Sequence, residues 1–383
     1  METFLPLSVP NLSGRELEYV TKAVETGWVS TAGSYVSDFE KAVASYVGTP
    51  GATACQSGTA GLHIALTLCG VQRGDLVVVP TLTFIAAVNP VRYLGADPVF
   101  MDCDDSLCMD PVKLEQFCRE ECELREDVLY HRDTGRRVPA LVVVHVFGNL
   151  ADMEAIETIA RRYRLKVVED ATEAIGSKFT GGPMAGRYAG TIGDVGVYSF
   201  NGNKIITTGG GGMIVSQDAE LLREAKHLTT QAKSDEERFF HDEVGYNYRL
   251  TNLQAALGLA QLEQLESFID VKIRNYERYR AAVERVPGLS LLPFRAGTRS
   301  NHWFYALLCE EPYPFGPLEL MERLRGKSIQ SRPVWGLIHN QKPYAGSLTF
   351  RLERAEYYWN HILNLPCSTN LTEADVDRTL AAL

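Results

Sequence analysis

Between about residues 50 and 215 the chain alternates short, uninterrupted apolar runs with amphipathic segments, and this pattern constrains the fold most. Leu76-Val77-Val78-Val79-Pro80, Asp97 to Met101, Leu141-Val142-Val143-Val144, Leu165 to Val168 and Val195 to Phe200 read as strands with both faces buried. A strand apolar on both faces belongs in a sheet covered on both sides. Helices between such strands predict a mostly parallel sheet in a three-layer α/β/α arrangement. Phe84 to Leu94 reads as a helix interrupted by Pro90, Pro111 to Cys122 as a second helix, and Met153 to Tyr163 as a third. After Gly245 the pattern changes: a helix is expected over Leu253 to Leu265, running on through Phe268 into a charged segment, then a mixture of short strands and helices. Two domains are therefore expected, a large one over residues 1–264 and a smaller α+β one over 265–383. Glu123 to Arg137 is polar, carries Asp133-Thr134-Gly135, and reads as a hairpin-like insertion.

Charge narrows the ligand classes. With 38 Lys+Arg against 48 Asp+Glu the chain carries a net −10. A global negative field disfavours nucleic acid and anionic membrane surfaces, which both need a basic footprint. No run approaches the roughly 18 apolar residues of a membrane span, and an acid stands where a signal peptide needs positive charge. The expected location is the cytoplasm. The eight cysteines include no CxxC pair and read as reduced, packed thiols, with Cys69 and Cys122 on helices. No metal site is expected.

In a parallel sheet, ligands sit beyond the carboxyl ends of the strands. Four such positions stand out. Ser57-Gly58-Thr59 opens a helix and can receive a phosphate on backbone N–H groups, although a simple helix cap needs the same residues. Phe84 can stack on a planar ligand or fill the core. Asp170 ends a buried strand, where a carboxylate needs a cation, donors or a helix to cap. Lys204 lies in Tyr198-Ser199-Phe200-Asn201-Gly202-Asn203-Lys204, ahead of Gly209 to Gly212. Those glycines precede a strand rather than a helix, so no dinucleotide fingerprint is present. A lysine, a carboxylate, a phosphate cradle and a stacking ring in one sheet describe a site for pyridoxal phosphate.

The whole chain resembles the DegT/DnrJ-type sugar-nucleotide aminotransferases, of fold type I among pyridoxal phosphate enzymes. The resemblance rests on Ser57-Gly58-Thr59-Ala60, Thr83-Phe84-Ile85-Ala86, Glu169-Asp170-Ala171-Thr172-Glu173-Ala174, Tyr198 to Lys204, and Gly245-Tyr246-Asn247-Tyr248-Arg249-Leu250. It implies Lys204 as the Schiff-base lysine and Asp170 as the partner of the pyridinium nitrogen. Gly58, Thr59 and Ser199 would hold the phosphate, and Phe84 would stack on the ring. Asn247 would reach the cofactor phosphate of a neighbouring subunit, which makes a homodimer with a shared site obligatory. Glu173 departs from the glutamine common in the family, near the cofactor's phenolic oxygen. A charged carboxylate there would repel that oxygen unless it is protonated.

Asn201 to Thr208 looks most like the enzymes of bacillosamine and legionaminic acid synthesis. The implied reaction moves the amino group of L-glutamate, leaving 2-oxoglutarate, onto C4 of a nucleotide-linked 4-keto-6-deoxy sugar. UDP-2-acetamido-2,6-dideoxy-hexos-4-ulose is the first expected acceptor. A GDP-perosamine-type 4-aminotransferase and a 3-keto-sugar 3-aminotransferase are the alternatives. Arg332-Pro333-Val334-Trp335, His339 and Gln341 match a segment near the substrate pocket, and Arg249, Arg332 and His339 are the candidate substrate residues. The related sugar dehydratases carry histidine at the Schiff-base position, so Lys204 argues against them. A non-catalytic regulatory member would lack the lysine or the carboxylate.

Overall fold

The computed structural model describes residues 3–235 and 237–383. Its centre is an eight-stranded sheet. Across the sheet the strands run Ala52–Cys55, Gly212–Val215, Val195–Ser199, Lys166–Asp170, Ala140–Val144, Leu76–Pro80, Asp97–Met101 and Leu348–Phe350. Gly212–Val215 lies antiparallel to both its neighbours, and every other pairing is parallel. The Val-rich runs are buried along their whole length, as the absence of polar alternation requires. The fold is thus the expected α/β class with a large, mostly parallel sheet. A second sheet, antiparallel throughout, orders Leu289–Leu291, Tyr305–Cys309, Ile362–Leu365 and Arg332–Pro333.

The two regions are woven together. Leu348–Phe350, from the C-terminal region, pairs with Val99–Met101 and gives the large sheet its edge. At the other end of the chain, Leu5 bridges Ile329, and Leu7 accepts the N–H of Cys367.

Three local readings are corrected. Pro90 does not interrupt a helix but stands in the first turn of Asn89–Tyr93, after a separate 3-10 turn at Ile85–Ala87. Proline is tolerated there because a first-turn N–H has no intrahelical partner to lose. Cys122 is not helical: the helix closes at Glu120, and Cys122–Arg125 pairs with Val128–His131. The polar insertion is therefore a true hairpin. The helix expected to run on from Leu253 is two, Asn252–Leu262 and Leu265–Val283. All eight cysteines are buried and unpaired. Among the described residues, no helix is long and apolar enough to cross a membrane.

Candidate active site

A cavity of about 640 Å³ opens at the carboxyl ends of the parallel strands. Ser57, Thr83, Asp170, Thr172, Glu173, Ser199 and Lys204 line it, each at the end of a strand or in the segment that follows one. The antiparallel strand contributes its beginning instead, Gly210 and Gly211. From the C-terminal region come Trp303, Phe304, Gln330, Arg332, Trp335 and Asn364.

One wall is a helix start. The Ser57 hydroxyl accepts the N–H of Ala60 at 3.1 Å and caps Gly58–Leu68. The remaining first-turn N–H groups have no intrahelical acceptor and suit an anion. Gly58 lets the turn close on its neighbours: a Cβ there would stand 2.9 Å from Thr172 Cγ2 and 3.0 Å from Ser199 Cβ. The glycine run after Lys204 brings backbone against backbone, because a Cβ on Gly212 would meet Ser57 C and O at 2.7 Å. It shapes the cradle from behind.

Asp170 accepts the N–H of Thr172 at 3.0 Å. Burial pushes its carboxyl above the usual range, while Thr172, Lys204 and His145 pull the other way. Its neighbour Glu169 faces the opposite side of the strand and is tied to structure. It accepts from Gly190, Ile192 and Gly193 N–H at 2.8, 2.6 and 2.6 Å, and lies 2.8 Å from His145 Nε2. Ala151 N–H donates to His145 Nδ1, so Nε2 is the donor to Glu169. Burial alone would raise the Glu169 pKa, but His145 and the backbone donors outweigh it and hold it low.

Lys204 Nζ stands 3.7 Å from Glu173 Oε1 and 4.1 Å from the centre of the Trp303 ring. Burial lowers the Lys204 pKa, against the opposing pull of Glu173 and Asp170. Burial also raises Glu173, to about 7. Glu173 Oε2 accepts the N–H of Phe147 at 2.8 Å. Phe147 takes φ 58° and ψ 18°, a left-handed conformation unusual for an aromatic residue. Its ring packs on Trp335 at 5.0 Å, and this packing helps hold the strained backbone that aims the N–H.

Gly58, Thr59, Phe84, Asp170, Glu173, Ser199, Lys204 and Arg332 therefore share one cavity. Asn247, Arg249 and His339 do not line it. Asn247 is exposed and accepts from Arg249 Nε at 3.1 Å. His339 Nδ1 lies 2.7 Å from Thr81 Oγ1, bracing the end of the Leu76–Pro80 strand. Sequence reasoning missed Trp303, Phe304, Gln330, Asn364 and Ser8. None follows an apolar strand into a helix, so the strand-end rule gives no signal for them.

The sequence matches the DegT/DnrJ/EryC1/StrS aminotransferase family over residues 10–383. It is 38% identical over 381 residues to GDP-perosamine synthase of Caulobacter vibrioides, covering 99% of this chain and 97% of that one. It is 35% identical over 382 residues to EpsN of Bacillus subtilis, a proposed pyridoxal phosphate-dependent aminotransferase, covering 98% and 94%. A crystal structure of a DegT DnrJ EryC1 StrS aminotransferase from Brucella abortus superposes with a TM-score of 0.86 at 29% identity, over 96% and 94% of the two chains.

Proposed function

The chain belongs to the DegT/DnrJ/EryC1/StrS aminotransferase family, and on that footing we propose that it transfers the amino group of L-glutamate to C4 of a nucleotide-linked 4-keto-6-deoxy sugar. At the coarser level it is a pyridoxal phosphate-dependent sugar-nucleotide aminotransferase. The observation that carries the chemistry is Lys204, buried between Glu173 and Trp303 in the cavity that also holds Asp170.

The donor set fits pyridoxal phosphate. Gly58, Thr59 and Ser199 would take its phosphate, in a cradle that a Cβ on Gly58 would fill. Asp170 would take the ring N–H, the donor that a buried carboxyl calls for. Phe84 would cover the ring. Glu173, with its pKa near 7, reaches neutral pH partly protonated and can donate to an anionic phenolic oxygen instead of repelling it. A protonated Glu173 would then stand in for the glutamine common in the family.

When bound, the cofactor supplies an electron sink for a carbanion at the carbon that bears nitrogen. Lys204 moves the protons. Its lowered pKa favours the neutral amine that can accept one. In the first half-reaction Nζ takes the proton from Cα of glutamate. In the second it delivers a proton to C4 of the sugar. Trp303, Phe304, Trp335 and Phe147 keep bulk water from these transfers.

The acceptor we favour is UDP-2-acetamido-2,6-dideoxy-hexos-4-ulose, supported by the Asn201 to Thr208 run. A GDP-linked 4-keto sugar is the second reading, supported by the name of the Caulobacter relative. A panel of 4-keto and 3-keto sugar nucleotides, supplied with L-glutamate and read by mass and NMR, tests both. Turnover confined to a 3-keto sugar refutes the C4 assignment.

We also read the active unit as a homodimer, with Asn247 serving the partner's cavity. Asn247 is exposed and outside its own cavity, and Phe239, Phe240 and Val244 on the same segment expose large apolar side chains. We divide the chain at residue 264 into a large cofactor-binding domain and a smaller α+β one, with Leu348–Phe350 crossing back into the large sheet.

A further inference from the structure

The C-terminal wall of the cavity holds one polar side chain that the fold leaves unmatched. Asn364 is 2% exposed and lines the cavity, yet its Oδ1 is buried with no hydrogen-bond partner. A buried amide oxygen left unpaired is destabilising. Asn364 lies on the Ile362–Leu365 strand, with Ala306 opposite it on one side and Arg332 on the other. Residues directly opposed across strands project to the same face. Arg332 and Asn364 accordingly both reach the cavity, while Leu363 and Leu365 are fully buried. Ala306 offers the amide no polar group. Among the described residues, no acidic side chain forms an ion pair with Arg332.

We propose that Arg332 and Asn364 act as one reading pair for the sugar nucleotide: Arg332 takes a phosphate oxygen, and Asn364 hydrogen-bonds the acetamido group of the sugar. This rests on the sugar-nucleotide reading above. The amino donor does not fit the amide oxygen. Its amino nitrogen is committed to the cofactor, and its carboxylates only accept hydrogen bonds, so they satisfy a guanidinium and leave Oδ1 unmet. A sugar supplies donors. No hydrogen bond to Oδ1 pins the amide, and its terminal torsion is soft, so it can present oxygen or nitrogen to the cavity. An acetamido group offers one N–H and one C=O, matching both ends of the amide. A hydroxyl meets it at one point. The subsite thus ranks acetamido sugars above their hydroxy counterparts.

The test uses the cofactor-loaded enzyme and its Asn364→Leu and Asn364→Asp variants. UDP-N-acetylglucosamine and UDP-glucose, which differ only at C2, are titrated by calorimetry. The wild type should bind the acetamido nucleotide more tightly. Asn364→Leu should lose that preference and bind it about tenfold more weakly, the effect of one lost hydrogen bond. Asn364→Leu should melt no lower than wild type, because no internal hydrogen bond is lost. The spectral change with L-glutamate alone should shift less than the half-reaction with the sugar. Asn364→Asp keeps an acceptor and should retain more acetamido binding than Asn364→Leu. Equal binding of the two nucleotides by the wild type, or binding of neither, overturns the acetamido assignment. A lower melting point of Asn364→Leu with its preference intact makes the amide structural and overturns the inference. An equal loss in the glutamate half-reaction assigns the pair to the amino donor and also overturns it. If the wild type turns over no nucleotide sugar, the functional reading falls first. If it turns over normally and Asn364→Leu matches it, only this inference falls.

Discussion

Lys204 Nζ lies 3.7 Å from Glu173 Oε1, and burial moves the two groups in opposite directions, the lysine down and the glutamate up to about 7. Each shift favours the neutral form. A proton is therefore easily exchanged across the pair, and the amine can be free of charge where a carbon acid must be deprotonated.

Replacing Lys204 with alanine should lower turnover by about 10⁴-fold, the upper range for a positioned proton carrier. Borohydride treatment followed by intact-mass measurement should find no cofactor attached to the variant. Transamination at the wild-type rate would remove Lys204 from the mechanism.

Glu173 should also leave a mark on stability. Its pKa rises from 4.5 to about 7 on folding. Between those values the folded chain keeps a proton that the unfolded chain has released. The stabilisation is full below pH 4.5 and declines as pH rises to about 7, by up to ~1.4 kcal/mol per pH unit. Denaturant unfolding of cofactor-free protein, compared with Glu173→Gln across this window, isolates the effect. Parallel curves for the two proteins would contradict the assignment.

The cradle should be intolerant of a single methyl. Gly58→Ala places a carbon 2.9 Å from Thr172 Cγ2 and 3.0 Å from Ser199 Cβ. Overpacking of this kind costs about 1–3 kcal/mol. Cofactor binding, followed by fluorescence quenching, should weaken about tenfold or more. Unchanged affinity would mean that the phosphate lies elsewhere.

Mixed dimers test the shared site. Lys204→Ala and Asn247→Ala homodimers should each be impaired. Co-refolding the two should restore activity, because one cavity of each heterodimer receives both intact residues. Absence of any recovery on mixing would place Asn247 outside the partner's cavity.

The strand-end residues were legible in the sequence because a parallel sheet delivers them by rule. Ser57, Asp170, Ser199 and Lys204 each close or follow a buried run, so local pattern and tertiary position coincide. Trp303 and Asn364 were not legible. Each reaches the cavity through packing between distant parts of the chain: the Trp303 indole donates to Asn203 O at 2.8 Å across 100 positions. The errors at Pro90 and Cys122 have a local origin. Both residues stand at element boundaries, where apolar periodicity does not distinguish a helix end from a new start.

The edge strand Leu348–Phe350 has a consequence for biosynthesis. During translation, Asp97–Met101 emerges some 250 residues before the strand that covers it. Until then its outer backbone groups are bare, a template for unwanted pairing. The Leu5 and Leu7 contacts wait longer still, for Ile329 and Cys367. The nascent chain must therefore stay soluble with an open β edge and a loose leading end until its last elements are made. Shielding by a ribosome-bound chaperone should accordingly matter more to the yield of this enzyme than to its stability once folded.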